Sequence, residues 1–408
     1  MILFFLTSGL FLGWSLGAND ASNVFGSAVG SRMISFRKAA IICSVFIILG
    51  AVIQGAGASD TLGKLGAVNA IGGSFTVALS AAIIVYVMTK LALAVSTTQA
   101  IVGAIIGWNL FTGNHTDTAT LTKIVGTWLF SPLLGAVFAI LLFIIVNRIK
   151  KASGVHLIRF ESYVRTGLII VGAFGSYSLG ANNIANVMGV FVPAFDLGTL
   201  DLGFMVLNSS QQLFLIGGLA IAAGVITYSR KVMETIGNNI VQLTSEAAMV
   251  VVLAESLVLF IFSSSSLSHF LVRIGLPPIP MVPVSSSQVV VGCVIGIGLY
   301  KGVRNINFRL LGQIAVGWIS TPVLSGLLAF FILYFVKNIF NIPVDQSDAA
   351  MLTKFTSTSG KALSELFRYI LLAIVVAGSV AMLYYFLLEW KRQKEQARSD
   401  ERFWKNLK

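Results

Sequence analysis

Charge is scarce in this chain. Only 11% of its 408 residues are Asp, Glu, Lys or Arg, whereas 56% are hydrophobic, and the mean hydropathy is +0.88. So few charged residues cannot cover the surface of a water-soluble protein of this size. The composition instead predicts an all-α, polytopic helical membrane protein.

Residues of several kinds of catalytic and metal site are also missing. The two cysteines, Cys43 and Cys293, lie in apolar runs without a CxxC partner or metal-ligand spacing, and the three histidines form no HExxH motif. No P-loop sequence is present. Residues 13–17 fit the pattern GxSxG, but a nucleophile elbow needs a preceding strand, and this serine lies in an apolar helical run. We therefore predict neither an enzyme nor a cofactor.

The net charge of +12 comes from short basic clusters between apolar runs. This distribution is typical of membrane topology and does not favour nucleic-acid binding. Most lysines and arginines fall in loops on one side if the N-terminus is outside. The pattern predicts a multi-pass protein of the cell (inner or plasma) membrane, with the C-terminus cytoplasmic. The apolar start at Ile2 has no basic region before it, so we expect a retained helix and no cleaved signal.

Three polar or aromatic motifs occur twice, in the same order, in the two halves of the chain. Because the first copy would begin outside and the second inside, the repeats would be inverted in the membrane, with the substrate at their interface. The pairs are GANDASN (17–23) and GANNIAN (180–186), STTQAIVG (96–103) and SSSQVVVG (285–292), and WLFSP (128–132) and WISTP (318–322).

This duplication predicts two inverted-topology repeats, each with a helix broken at the first motif and a re-entrant hairpin at the second. Each hairpin would consist of two half-spanning helices. The first would cover residues 73–111, and the second would cover 240–262 and 285–300, with about 26 extra residues between its motifs, near 263–283. The expected divisions are a first repeat (1–147), a basic cytoplasmic linker (148–164), a second repeat (165–337), an extracytoplasmic loop (338–361), a further transmembrane helix (362–388) and a charged cytoplasmic tail (389–408).

The hairpin motifs predict an anion site. Each opens an apolar helical stretch, so its first backbone N–H groups are unpaired and its hydroxyls add donors that can surround phosphate or sulfate. Ordinary N-capping is the alternative interpretation of either motif alone. The candidate phosphate-binding residues are Ser96, Thr97, Thr98, Gln99, Ser285, Ser286, Ser287 and Gln288, joined by Asp20, Asn23, Asn183 and Asn186.

The duplicated asparagine motifs predict a cation site beside the anion, because hard oxygen ligands suit sodium. Hydrogen bonding between helices is the alternative role of the amides. Asp20 can accept the proton of hydrogen phosphate, which favours phosphate over sulfate. Importing a dianion against ~100 mV needs two cations for electroneutrality. The candidate sodium ligands are Asn19, Asp20, Asn23, Asn182, Asn183 and Asn186.

The paired motifs GANDASN with GANNIAN, and AVSTTQAIVGA with PVSSSQVVVGC, resemble the duplicated signatures of the inorganic phosphate transporter family. The resemblance covers roughly residues 10–335. It implies sodium- or proton-coupled phosphate transport, a phosphate site shared by both hairpins and both broken helices, sodium sites alongside, and often a homodimer.

The chain departs from this family's pattern in its acidic residues. Asn183 replaces the usual acid of the second motif, and Ile47 stands where many members carry a glutamate after a phenylalanine. The counterpart in the second half, a further candidate sodium ligand, is Glu246 or Glu255, and the insertion leaves both open. The second hairpin also reads SSSQ in place of STT.

Taken together, these patterns predict a secondary active transporter that imports inorganic phosphate by symport with a cation, sodium first, by alternating access. A proton-coupled phosphate or sulfate permease is the alternative within this class. A passive anion channel or a membrane sensor is the alternative from another class.

Overall fold

The first half of the chain folds into six helices in the computed structural model, which describes residues 2–66, 68–91, 95–154, 156–201, 203, 206–236, 244–302 and 308–346. The helices are α1 (Ile2–Gly30), α2 (Phe36–Gln54), α3 (Ala56–Leu65), α4 (Ile71–Lys90), α5 (Thr97–Thr112) and α6 (Thr118–Ser153).

The second half repeats this order with additions. A 3-10 helix (Gly189–Ala194) and a two-stranded antiparallel ribbon, β1 (Leu200–Asp201) and β2 (Val206–Leu207), follow its first helix. The helices are α7 (Leu157–Met188), α8 (Ser209–Thr227), α9 (Ser229–Ile236), α10 (Ser245–Ser263), α11 (Ser265–Arg273), α12 (Ser286–Tyr300) and α13 (Phe308–Asn338).

Seven of the described helices are long and apolar enough to cross a membrane: α2, α4, α6, α7 with the residues that follow it, α8, α10 and α13. The chain is therefore a multi-pass membrane protein. The predicted transmembrane helix (362–388) and charged tail (389–408) lie outside the described residues.

The predicted break in the first helix of each half is wrong. α1 runs without interruption through residues 17–23, and α7 runs through 180–186. The glycine that was expected to unwind α1 instead allows close packing: a Cβ at Gly17 would lie 1.9 Å from the Ile221 carbonyl oxygen of α8. Conversely, a Cβ at Gly224 of α8 would lie 2.0 Å from the Trp14 carbonyl oxygen.

The same pair of contacts recurs between α7 and α2. A Cβ at Gly180 would lie 2.1 Å from the Ile47 carbonyl oxygen, and one at Gly50 would lie 1.9 Å from the Tyr177 carbonyl oxygen. The first helix of each half therefore packs backbone to backbone against the second helix of the other half. Small residues permit such close contact between membrane helices.

Each predicted hairpin consists of two helices, α4 with α5 and α10 with α12. Their first arms are longer than the half-span that we expected, with 20 residues in α4 and 19 in α10, and both are long enough to cross. The second arms, with 16 and 15 residues, are shorter. The added segment near 263–283 forms α11 and the loop after it.

The shorter arms pack against the proline motifs of the opposite half. A Cβ at Gly103 of α5 would lie 2.1 Å from the Pro322 carbonyl oxygen of α13, and one at Gly292 of α12 would lie 2.1 Å from the Pro132 carbonyl oxygen of α6. The contacts of one half thus reappear in the other, and α5 and α12 are held at matching places.

The glycine contacts make a prediction about stability. Gly50→Ala should destabilise the fold by about 1–3 kcal/mol or more, because its Cβ meets a backbone carbonyl that cannot turn away. The thermal midpoint in detergent, followed by size-exclusion chromatography, should fall. Gly126→Ala is the matched control, since nothing lies within 4 Å of its Cβ. Equal midpoints for the two variants would contradict the packing described here.

Candidate functional site

The polar motifs of α1 and α7 meet the N-terminal ends of α5 and α12. The contacts cross between the halves: Asp20 of α1 is bonded to Ser286 of α12, and Asn186 of α7 is bonded to Thr98 of α5. All four side chains are at least nine-tenths buried. The structure thus brings the two predicted motif pairs together in one place.

Asp20 accepts hydrogen bonds on both carboxylate oxygens. Asn19 Nδ2 donates to Oδ1 at 2.8 Å, and Ser286 Oγ donates to Oδ2 at 3.2 Å. Asn23 Nδ2 donates to the same Ser286 oxygen at 3.2 Å. The first polar motif is therefore bonded to the start of the second hairpin's short arm.

The asparagines of the second motif form a wider network. Asn182 exchanges two hydrogen bonds with the Val284 backbone, donating to its carbonyl at 2.7 Å and accepting from its N–H at 2.8 Å. Asn186 Nδ2 donates to Thr98 Oγ1 and to Asn183 Oδ1, each at 2.9 Å. Thr98 Oγ1 in turn donates to the Val284 carbonyl at 3.3 Å. The Val284 backbone therefore links both hairpins to α7.

Sequence reasoning missed the role of Val284. Its signal is its place directly before the SSSQ motif, where the backbone is still extended and its N–H and carbonyl are free to bond. The matching position in the first half is Val95. No equivalent bond from Asn19 to Val95 is found among the described residues; Asn19 bonds to the Asp20 carboxylate instead.

The first serine of each hairpin motif is an N-cap. Ser96 Oγ accepts from the Gln99 N–H at 3.3 Å, and Ser285 Oγ accepts from the Gln288 N–H at 3.4 Å. The capping interpretation thus holds for these two hydroxyls. The first-turn N–H groups ahead of the capped one have no partner within the helix.

Several buried polar groups at this place have no hydrogen-bond partner among the described residues. Leaving such a group unsatisfied costs about 1–3 kcal/mol, so a cluster of them indicates a binding site. Donors and acceptors are both present, as an anion with an accompanying cation requires. The groups are Thr97 Oγ1, Asn183 Nδ2, Gln99 Oε1, Gln288 Oε1, Asn186 Oδ1 and both carboxylate oxygens of Glu255.

The two candidate glutamates lie in different surroundings. Glu246 forms an ion pair with Lys150 at 2.8 Å, and the two side chains are 16% and 36% exposed. Glu255 is 1% exposed and lies on α10, which packs against α1 and α12. Glu255 therefore lies on a helix that adjoins the site, whereas Glu246 is paired with Lys150, a distinction that spacing alone could not make.

The remaining hydroxyl of the second hairpin motif is also close by. Ser287 Oγ lies 3.2 Å from Ser285 Oγ, and the side chain is buried. Every residue predicted from the two motif pairs thus lies on one of the four helix segments that meet here. In the described ranges, no group of three or more His, Cys, Asp or Glu side chains could hold a metal ion.

Comparisons with known proteins agree with this arrangement. Residues 16–329 match the profile of the phosphate transporter family. The chain is 26% identical to a provisionally named phosphate permease of Thermococcus kodakarensis, covering 81% of this chain and 96% of that one. It is 27% identical to its counterpart in Pyrococcus horikoshii (80% and 96% covered) and 24% identical to that of Haemophilus influenzae (82% and 96%).

A solved structure, the sodium-dependent phosphate transporter, has the same fold. It superposes with a TM-score of 0.63 at 23% sequence identity, covering 81% of this chain and 98% of the other. With the match extending over both halves and all four motif segments of the site, the chain belongs to the phosphate transporter family.

Proposed function

We propose that this protein imports inorganic phosphate by symport with sodium, using alternating access. The observation that carries the proposal is the meeting of two hairpin helix starts with a buried carboxylate and unsatisfied amide and hydroxyl groups. The proposed location is the cell membrane, with the N-terminus outside and the C-terminus cytoplasmic, as a homodimer.

Phosphate would be held mainly by neutral donors. The first-turn N–H groups of α5 and α12 and the hydroxyl of Thr97 supply hydrogen bonds, and the helix dipoles favour negative charge at both helix starts. Asp20 would accept the proton of hydrogen phosphate. Fully ionised sulfate offers no such proton, so this carboxylate would favour hydrogen phosphate over sulfate.

Sodium would use the oxygen ligands around the anion. The buried carboxylates of Asp20 and Glu255 and the free amide oxygen of Asn186 are hard ligands of the kind that sodium prefers. Since α1 and α7 are unbroken, their carbonyls stay within the helices, and the ligands must come from side chains and from the extended residues before the hairpin helices. The solved relative named above is sodium-dependent by its name.

The charge balance supports more than one cation. Carrying a dianion inward against ~100 mV costs about 4.6 kcal/mol, which two co-transported cations cancel. Asp20 and Glu255 are two buried acidic groups on α1 and α10, helices that pack against each other. Two sodium ions would balance their charge before phosphate binds.

Alternating access would follow from the paired halves. The packing of α1 on α8 and α7 on α2, and of α5 on α13 and α12 on α6, is what two inverted repeats, 1–147 and 165–337, would produce. Rocking one pair of helices against its counterpart would expose the site to either side in turn.

Uptake into proteoliposomes tests the proposed function. Labelled phosphate should accumulate when an inward sodium gradient is imposed at equal pH on both sides, and labelled sulfate should not. Accumulation that follows a proton gradient and ignores replacement of sodium by potassium indicates the proton-coupled permease. Equilibration without accumulation indicates a passive channel.

In the same assay, Asp20→Asn should abolish sodium-driven accumulation, because it removes the buried charge that offsets the cation. Asn183→Asp is the matched variant at the corresponding position of the other half. It should be tolerated better, since it keeps the oxygen that accepts from Asn186 and replaces an amide nitrogen that has no partner. If transport survived in Asp20→Asn and was lost in Asn183→Asp, coupling would belong to the second half and the assignment to Asp20 would be wrong.

Removing the Thr97 hydroxyl separates binding from folding. Because this group has no partner among the described residues, Thr97→Ala should leave thermal stability unchanged and weaken phosphate binding by about 0.5–1.5 kcal/mol. Equilibrium binding of labelled phosphate to purified protein measures the change. Ser325→Ala, at another unpartnered buried hydroxyl on α13, is the control and should bind phosphate normally.

The glutamates provide a similar matched pair. Glu255→Gln should reduce the apparent affinity for sodium in uptake assays, because it removes a buried anionic ligand. Glu246→Gln changes the same chemical group in an ion pair with Lys150 and should keep the sodium dependence of the wild type. Equal sodium dependence in both variants would remove Glu255 from the cation site.

A further inference from the structure

The two hairpins differ in the connection between their arms. Residues 91–96 join α4 to α5, whereas α10 and α12 are joined by a longer segment, 264–284, which contains α11 and ends directly before the N-cap Ser285. In the proposed orientation α10 runs outward, so this added segment lies on the outer side of the site. It therefore leads from the outer surface of the protein to the helix start at which phosphate would bind.

The added segment is braced by its own hydrogen bonds. Ser268 Oγ accepts from the Ile279 N–H at 3.2 Å and donates to the Ile279 carbonyl at 3.4 Å. Ser264 Oγ caps α11 and accepts from the Leu267 N–H at 3.2 Å. These bonds tie the loop after α11 to the helix itself. The segment can therefore move as one unit.

This unit contacts the end of α2 and the length of α3, both in the other half. Gln54 Nε2 donates to Ser264 Oγ at 3.1 Å, and Thr61 Oγ1 donates to the Met281 carbonyl. The Met281 side chain also lies against Gly57, since a Cβ at Gly57 would be 3.6 Å from the Met281 Cβ. Met281 thus meets α3 through both its backbone and its side chain.

Helix α3 lies against the ends of α5 and α7 that lead away from the site. A Cβ at Gly189, which follows Asn186 by three residues, would lie 3.3 Å from Ser59 Oγ of α3. On the α5 side, Asn109 Nδ2 donates to the Leu65 carbonyl at the end of α3 at 3.2 Å. Together with the added segment, α3 therefore covers the outer side of the site.

The opposite side of the site is less covered. Asn186 is fully buried, and it is the last polar residue of its motif on α7, which runs outward in the proposed orientation. Asn23 is the last polar residue of the matching motif on α1, which runs inward, and it is only half-buried. The site is thus closed toward the outside and less enclosed toward the cytoplasm.

We propose that α3 and the added segment form the outer gate of the phosphate site, and that the gate opens when Met281 separates from Gly57 and Thr61. The inference rests on the proposed function and orientation. An inverted-repeat transporter needs a barrier on each side of a central site, and only one may open at a time. The contact between Met281 and α3 is the outer barrier in its closed state.

The gate is joined to the site through the backbone. Met281 lies three residues before Val284, whose N–H and carbonyl are held by Asn182 and whose carbonyl also accepts from Thr98. Displacing Met281 from α3 therefore pulls on the residues that fix the start of α12. Opening the gate and loosening the helix start at Ser286 are then one movement.

A disulfide across the gate tests the proposal. The variant Gly57→Cys with Met281→Cys has the 3.6 Å Cβ separation that a disulfide needs, about 3.5–4.5 Å. Oxidation with copper phenanthroline should form the bond, and the native cysteines are fully buried, which keeps their background reaction low. Uptake of labelled phosphate into proteoliposomes should fall at least about tenfold and return on reduction with dithiothreitol.

The variant Gly63→Cys with Met281→Cys is the matched control. Gly63 lies on the same helix, but no described atom lies within 4 Å of its Cβ. Oxidation should therefore form no disulfide and should leave uptake unchanged. Titration of free thiols in denaturant measures the disulfide in both variants. A Gly57 pair that does not cross-link, or that keeps its uptake once cross-linked, overturns the gate.

Equilibrium binding distinguishes a locked gate from a distorted site. Because the inner side stays accessible, the oxidised Gly57 pair in detergent should bind labelled phosphate with sodium as the reduced protein does. Binding that is lost on oxidation and recovered on reduction would show a distorted site and overturn the gate. Failure of the proposed function has a different sign: the unmodified protein would accumulate no phosphate before any oxidation, and the gate would fall with it.

Discussion

The burial of Asp20 in a largely apolar protein is the constraint from which the arrangement of the site follows. A carboxylate in a membrane interior is costly unless hydrogen bonds or cations accompany it. Here one oxygen is met by the adjacent Asn19 and the other by Ser286 from the opposite half. This second bond requires the start of α12 to reach α1. The short hairpin arm must therefore begin inside the protein, where its unpaired N–H groups become available to an anion.

The two halves hold the starts of their short hairpin helices in different ways. In the second half, Asn182 holds the backbone just before α12 by two hydrogen bonds, so this hairpin is fastened by its own repeat. In the first half, Asn19 is engaged by Asp20, and α5 is joined to α7 of the opposite repeat through Thr98 and Asn186. Both hairpins are thus tied to the first helix of the opposite half, α12 through Ser286 and α5 through Thr98, and the second hairpin is also held by its own half through Asn182.

Much of the site could be predicted from the sequence, because duplicated polar motifs in apolar runs are a strong signal, and all four motif segments converge. The unbroken course of α1 and α7 could not be predicted in this way. A glycine in a membrane helix can unwind it or let a neighbour approach, and only the position of Ile221 or Ile47 decides which. The choice between Glu246 and Glu255 depended on an insertion that hides the alignment. Val284 acts through its backbone, so its side chain gives no sign of this role and only its place before the SSSQ motif does.

The contacts of Gly103 and Gly292 with proline carbonyls have a genetic consequence. In most helix interfaces, a larger residue on one side can be accommodated by a smaller side chain on the other. At these two positions the partner atom is main chain, which every amino acid possesses. A Cβ introduced there therefore has no compensating side-chain substitution at the contact itself, and any suppressor must act by moving a whole helix. The backbone of one half therefore cannot shift at these contacts unless the other half shifts with it.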